Sequence, residues 1–197
     1  MGEPPTQRMS YVDYLAMEQQ AGERHQFIDG RAYAMAGGSL RHSALKVALG
    51  SQLYSALRGS PCSVYDSDAR LYIPLTHDAT YPDFSVVCED AERPDADRHA
   101  FTNPTLIAEV LSPSTEKWDR GGKFALYRTL PSLRHYLLIS SETCMVELFS
   151  RNDDDTWTLS VHTPGDTLTI DTPGLTLSVD ALYDGIPEEP PAEDATL

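Results

Sequence analysis

The chain has 197 residues, enough for one domain with a full core, and its hydrophobic and charged fractions of 41% and 23% are ordinary for a globular protein. Its 30 acidic residues against 15 basic ones give a formal charge of −15, which excludes a broad basic surface of the kind that grips nucleic acid through counterion release. No apolar run approaches the ~20 residues of a membrane span, and no basic-then-apolar stretch at the start directs export. Cys62, Cys88 and Cys144 are odd in number, far apart and without a C-x-x-C pair. That pattern argues against a disulfide framework or thiolate zinc site, and for small buried cysteines in a reducing cytoplasm.

In chain order, residues 1–9 are polar with two prolines and read as a flexible tail. Ser10-Tyr11-Val12-Asp13 carries a helix N-cap with an acid three residues on, opening a short amphipathic helix that ends near Gly22. Asp29-Gly30 lies between two apolar-rich runs, the strongest short signal for a hairpin, because both central residues of its turn need positive φ. Ser39 then caps a long helix in which Leu45, Leu49, Leu53 and Leu57 recur every four residues until Gly59 stops it. Strands are expected at residues 62–65, 68–74 and 83–87, a charged loop at 89–103, and a further strand at 106–111. A helix over residues 119–130 ends at Pro131. Strands at 134–140, 143–149, 157–161 and 168–170 follow, with a half-helix at 179–183. Residues 186–197 are acidic and rich in proline, a solvated tail, so one mixed α/β domain spans residues 10–185.

Three polar residues stand out in this pattern. Asp83 begins one apolar run and Glu109 lies inside another, where a buried carboxylate is costly unless it is paired or bound to a cation. If the two strands are neighbours, both acids can converge on one hard cation, Mg²⁺ or alternatively Mn²⁺. Such an ion lowers the pKa of a bound water and stabilises the leaving oxygen of a phosphodiester. Lys123 follows Gly121-Gly122 at the start of a helix, within reach of the attacking water, and the glycines permit a close backbone approach. A structural reading competes: Asp83 caps a turn, Glu109 pairs with an arginine such as Arg70, and Lys123 is a helix-surface lysine. Asp68, at the head of a strand with Arg70 and Tyr72 on its face, is either a further acid near the metal or a turn acid. His42 either positions substrate phosphate at the helix start or packs. The other histidines lack ligand spacing, Gly122-Lys123 is no P-loop, and Ser112 lacks the glycines of a nucleophile elbow.

The order Asp29-Gly30, Met35-Ala36-Gly37-Gly38-Ser39 with His42, Tyr81-Pro82-Asp83, Glu109-Val110-Leu111-Ser112-Pro113-Ser114-Thr115, and Asp119-Arg120-Gly121-Gly122-Lys123 with Tyr127 resembles the Uma-type restriction endonuclease family of the PD-(D/E)XK nuclease superfamily. The likeness runs over residues 10–183. It implies a restriction-endonuclease-like mixed β-sheet flanked by helices, with an N-terminal helix and hairpin. It further implies Mg²⁺-dependent cleavage of DNA by a homodimer, with Asp83 and Glu109 holding the metal and Lys123 assisting the water. Two positions depart from that pattern. Leu111 stands where the superfamily places its lysine, and Gln26 stands where family members often carry a glutamate. An amide donates where a carboxylate binds metal. Gln26 and the acidic charge therefore support a rival reading, a nuclease fold that has become a binding or assembly module, or one that needs a partner subunit to hold DNA.

Overall fold

A computed structural model of the chain describes residues 8–35, 37–171 and 173–188. The greater part of both expected tails, and Ala36 of the Gly-Gly-Ser motif, lie outside the described residues. The parts of the tails that are described touch the domain: the Met9 amide donates to the Gly30 carbonyl (2.8 Å), and Arg41 donates to the Pro187 carbonyl (2.8 Å).

Helix α1 (Tyr11–Glu18) starts at the Ser10 capping box, with Ser10 and Asp13 satisfying each other's amides. The hairpin follows as β1 (His25–Ile28) and β2 (Arg31–Ala34), and Asp29 and Gly30 both take positive φ, 48° and 73°. Helix α2 (Leu40–Leu57) begins where the Ser39 hydroxyl accepts from the His42 amide, and its four leucines are fully or almost fully buried. Each contributes about 2 kcal/mol of burial.

Three sheets organise the rest. The largest has six strands in the order β11-β10-β9-β8-β6-β3. Its centre is β6 (Phe84–Cys88), antiparallel to β8 (Leu106–Val110), which runs parallel to β9 (His135–Ile139). Its flanks are β3 (Cys62–Asp66), β10 (Val146–Arg151) and β11 (Trp157–His162). The five-stranded sheet runs β2-β1-β5-β4-β7, adding β4 (Arg70–Ile73), β5 (Asp78–Thr80) and β7 (Ala100–Phe101) to the hairpin. A small pair, β12 (Thr167–Ile170) and β13 (Leu175–Ser178), leads into α5 (Val179–Tyr183). Among the described residues no helix is long and apolar enough to cross a membrane.

Alternation along β8 decides which side each residue serves. Leu106, Ala108 and Val110 join the α2 leucines in one core. Ile107 and Leu111 join Phe124, Tyr127 and Leu130 in a second core on the opposite face. Glu109 is therefore aimed at the second core, where α3 (Glu116–Trp118), a π-helical turn (Asp119–Lys123) and α4 (Phe124–Tyr127) run as one continuous segment.

The cysteine expectation is overturned. Cys62 and Cys88 are register partners on neighbouring strands β3 and β6 and form a disulfide, while Cys144 is free and exposed rather than buried. Sequence spacing does not reveal a cross-strand pairing of this kind. The expected mixed α/β architecture is present, its strands divided among three sheets. The short strands β5, β7 and β13 are too brief, at two to four residues, to carry a readable alternation.

Candidate active site

The β6–β8 register sets Phe84 opposite Ala108, so one step further out Asp83 faces Glu109. The backbone ties the two acids together: the Asp83 amide donates to Glu109 Oε2 (3.2 Å), and the Val110 amide donates to Asp83 Oδ2 (2.8 Å). Both line a cavity of about 130 Å³, whose wall also includes Gln26, His42, Trp118, Asp119 and Lys123.

Each acid meets a different cation. On the α2 side, Lys46 Nζ lies 2.8 Å from Asp83 Oδ1, and His42 Nε2 lies 3.5 Å from Oδ2 and 3.0 Å from the Val110 carbonyl oxygen. Burial pushes the Asp83 carboxyl up, but His42 and Lys46 outweigh it and bring the group down to about 2. On the α3–α4 side, Lys123 Nζ donates to Glu109 Oε1 (2.9 Å), as does the Tyr127 hydroxyl (3.0 Å). Here burial wins. With Asp119 and Asp83 adding negative charge, Glu109 rises to about 7 despite Lys123. Burial opposes the Lys123 charge too, yet Glu109 and Asp119 hold its ammonium above the usual lysine range.

The π-helical turn makes this placement possible. π turns cluster at functional sites because they re-aim side chains within a helix. This one brings Asp119 Oδ1 within 2.9 Å of Lys123 Nζ, and the Tyr136 hydroxyl donates to the Asp119 carbonyl (3.0 Å). Gly122 has a different use from the expected approach of backbone to ligand. A Cβ there would sit 1.8 Å from the Trp118 ring, so the missing side chain seats an indole that lines the cavity.

Of the six expected residues, Asp83, Glu109, Lys123, His42 and Gln26 share the cavity and Asp68 does not. Asp68 is exposed and pairs with Arg24 instead. Arg70, the partner considered for Glu109, is engaged by Asp97 and the Tyr81 hydroxyl. Sequence reading missed Lys46, and it named Asp119 and Tyr127 only as residues of the motif, without a role in the site. The i,i+4 spacings His42–Lys46 and Asp119–Lys123 were the available signal.

The donor set is oxygen throughout. Gln26 Oε1 is a buried atom with no hydrogen-bond partner, on the wall shared with the two carboxylates. Among the described residues no three His, Cys, Asp or Glu side chains close on one point. Two carboxylates and a carbonyl oxygen suit Mg²⁺, which takes one or two carboxylates and completes its shell with waters and phosphate oxygens.

Comparisons with known proteins bear on the family and the fold. A family model described as "Uma2: Putative restriction endonuclease" matches residues 11–180. The chain is 40% identical to "Uncharacterized protein slr1290" of Synechocystis sp. over 182 residues, covering 92% of this chain and 95% of that protein. It is 37% identical to "Uncharacterized protein sll1609" of the same organism, covering 79% and 88%. A crystal structure of "a putative nuclease belonging to DUF820" from Anabaena variabilis shares the fold, with a TM-score of 0.69 at 17% identity, over 87% of this chain and 96% of that one.

Proposed function

Since the chain belongs to the family described as "Uma2: Putative restriction endonuclease", we propose that it hydrolyses phosphodiester bonds of DNA with Mg²⁺ or Mn²⁺ held by Asp83 and Glu109. One observation carries the reading: two carboxylates face each other at the open end of β6–β8, in a cavity whose wall also presents a buried, charged lysine. When bound, the ion supplies Lewis acidity and an activated water. Asp83 stays ionised because His42 and Lys46 favour its charge. Lys123, fixed between Glu109 and Asp119, directs positive charge into the cavity where a phosphate would carry its negative charge. Trp118 forms part of the wall beside it.

The formal charge of −15 opposes tight binding of DNA by this chain alone. A partner subunit that supplies basic charge fits that constraint; a homodimer offers two sites to the two strands but doubles the acidic charge, and sedimentation with and without duplex DNA distinguishes the two assemblies. The proposal keeps the protein in the cytoplasm with its DNA substrate. The rival reading of a non-catalytic binding module draws on Gln26, a neutral amide at the cavity wall.

Plasmid nicking separates the two. Wild type with Mg²⁺ or Mn²⁺ should relax supercoiled DNA, and Asp83→Ala and Lys123→Ala should lose at least about 100-fold in rate, the loss expected for one electrostatic catalytic group. Equal residual activity in all three proteins would assign the cleavage to a contaminant.

A further inference from the structure

Resting on the ion-site reading above, we propose that Lys46 is a built-in counter-cation that occupies Asp83 until a divalent ion displaces it. The two lysines of the site are not equivalent. Lys123 has 7% of its side chain exposed and is clamped between Glu109 and Asp119, so it has no route out. Lys46 has 24% exposed and, among the described residues, makes a single ion pair, 2.8 Å to Asp83 Oδ1. Its other partner is neutral, Ser67 Oγ at 3.1 Å in the turn between β3 and β4. An ammonium that leaves Asp83 therefore keeps an acceptor and reaches water, and displacing it strands no charge.

Asp83 is part of the cavity wall and Lys46 is not, so an ion in the cavity can reach the carboxylate that the ammonium holds. The other Asp83 oxygen is already fixed by the Val110 amide, which leaves Oδ1 as the oxygen whose partner can change. A divalent ion and an ammonium on one carboxylate repel each other, so strong binding of one weakens the other.

Mn²⁺ calorimetry on the full chain tests this. Lys46→Met should bind Mn²⁺ roughly ten- to a hundredfold more tightly than wild type, the range of coupling between two ligands of one site, and Lys46→Arg should stay close to wild type because it keeps the charge. Equal or weaker binding by Lys46→Met would overturn the competition and make Lys46 a residue that only orients Asp83. No Mn²⁺ heat in any of the three proteins would instead remove the ion site itself, and the proposal with it. If Lys46→Met does not fold, acylation of wild type followed by mass spectrometry gives the answer: saturating Mg²⁺ should speed modification of Lys46 severalfold and leave Lys123 unchanged. Unchanged reactivity at Lys46 would overturn the proposal.

Discussion

Asp83 and Glu109 stand opposite each other at one end of the β6–β8 pair, yet the two halves of the cavity treat their charge in opposite ways. The α2 half lowers Asp83 to about 2, while the α3–α4 half raises Glu109 to about 7. The difference follows from crowding. Asp83 lies half-buried at a strand end with Lys46 and His42 beside its carboxylate and its amide on Glu109. Glu109 is buried in an apolar core with one lysine that it must share with Asp119. A pair of acids pushed apart in this way divides its roles, one permanently charged and one able to hold a proton near neutrality.

Removing the shared lysine should break the comparison most sharply. Lys123→Met leaves Glu109 and Asp119 buried without a counter-charge and should cost about 3–5 kcal/mol in a denaturant titration, the usual penalty for breaking a buried ion pair. Lys46→Met, at the more open pair, should cost about 1 kcal/mol or less. Gly122→Ala comes next. Its Cβ would overlap the Trp118 ring, so the helix must yield or the indole must move. A loss of about 1–3 kcal/mol is expected, with a shift in tryptophan emission in a Trp157→Phe background. Tyr127→Phe removes one donor to Glu109 and should cost about 1 kcal/mol, with the Glu109 titration moved further up because the charged form has lost a hydrogen bond.

The smallest effect in energy sharpens the contrast best. Carboxyl-carbon NMR of metal-free protein should show Glu109 titrating near 7 and Asp83 near 2. The signs for stability are opposite. Asp83 is lowered from 3.8, so its contribution is present above that pH and is lost as pH falls toward 2. Glu109 is raised from 4.5, so its contribution is present below that pH and is lost as pH rises toward 7. Lys46→Met should raise the Asp83 value and leave Glu109 almost unmoved.

Much of this arrangement was legible in the residues themselves. The Asp29-Gly30 turn, the Ser39 cap and the four-residue leucine repeat of α2 are local signals, and they form as read. The apolar runs around Asp83 and Glu109 made both acids conspicuous, because a buried strand has little use for a carboxylate. What the sequence hid are matters of register and of helix geometry. Lys46 looks like any surface lysine until α2 is laid across the sheet and its ammonium reaches Asp83. Asp119 joins Lys123 through a π-helical turn, and only their i,i+4 spacing hinted at the pairing in the sequence. Cys62 meets Cys88 only because β3 pairs with β6 in that register. Asp68 attracted attention by its position at a strand head, but its side chain points to Arg24 at the surface.

The central claim is that Asp83 and Glu109 together hold one catalytic ion, and Mn²⁺ titration calorimetry on wild type, Asp83→Ala and Glu109→Ala tests it most directly. The account predicts a binding heat in wild type that is lost in both variants. The same heat and affinity in Glu109→Ala as in wild type would contradict it, and would leave the buried acids as structural ion pairs.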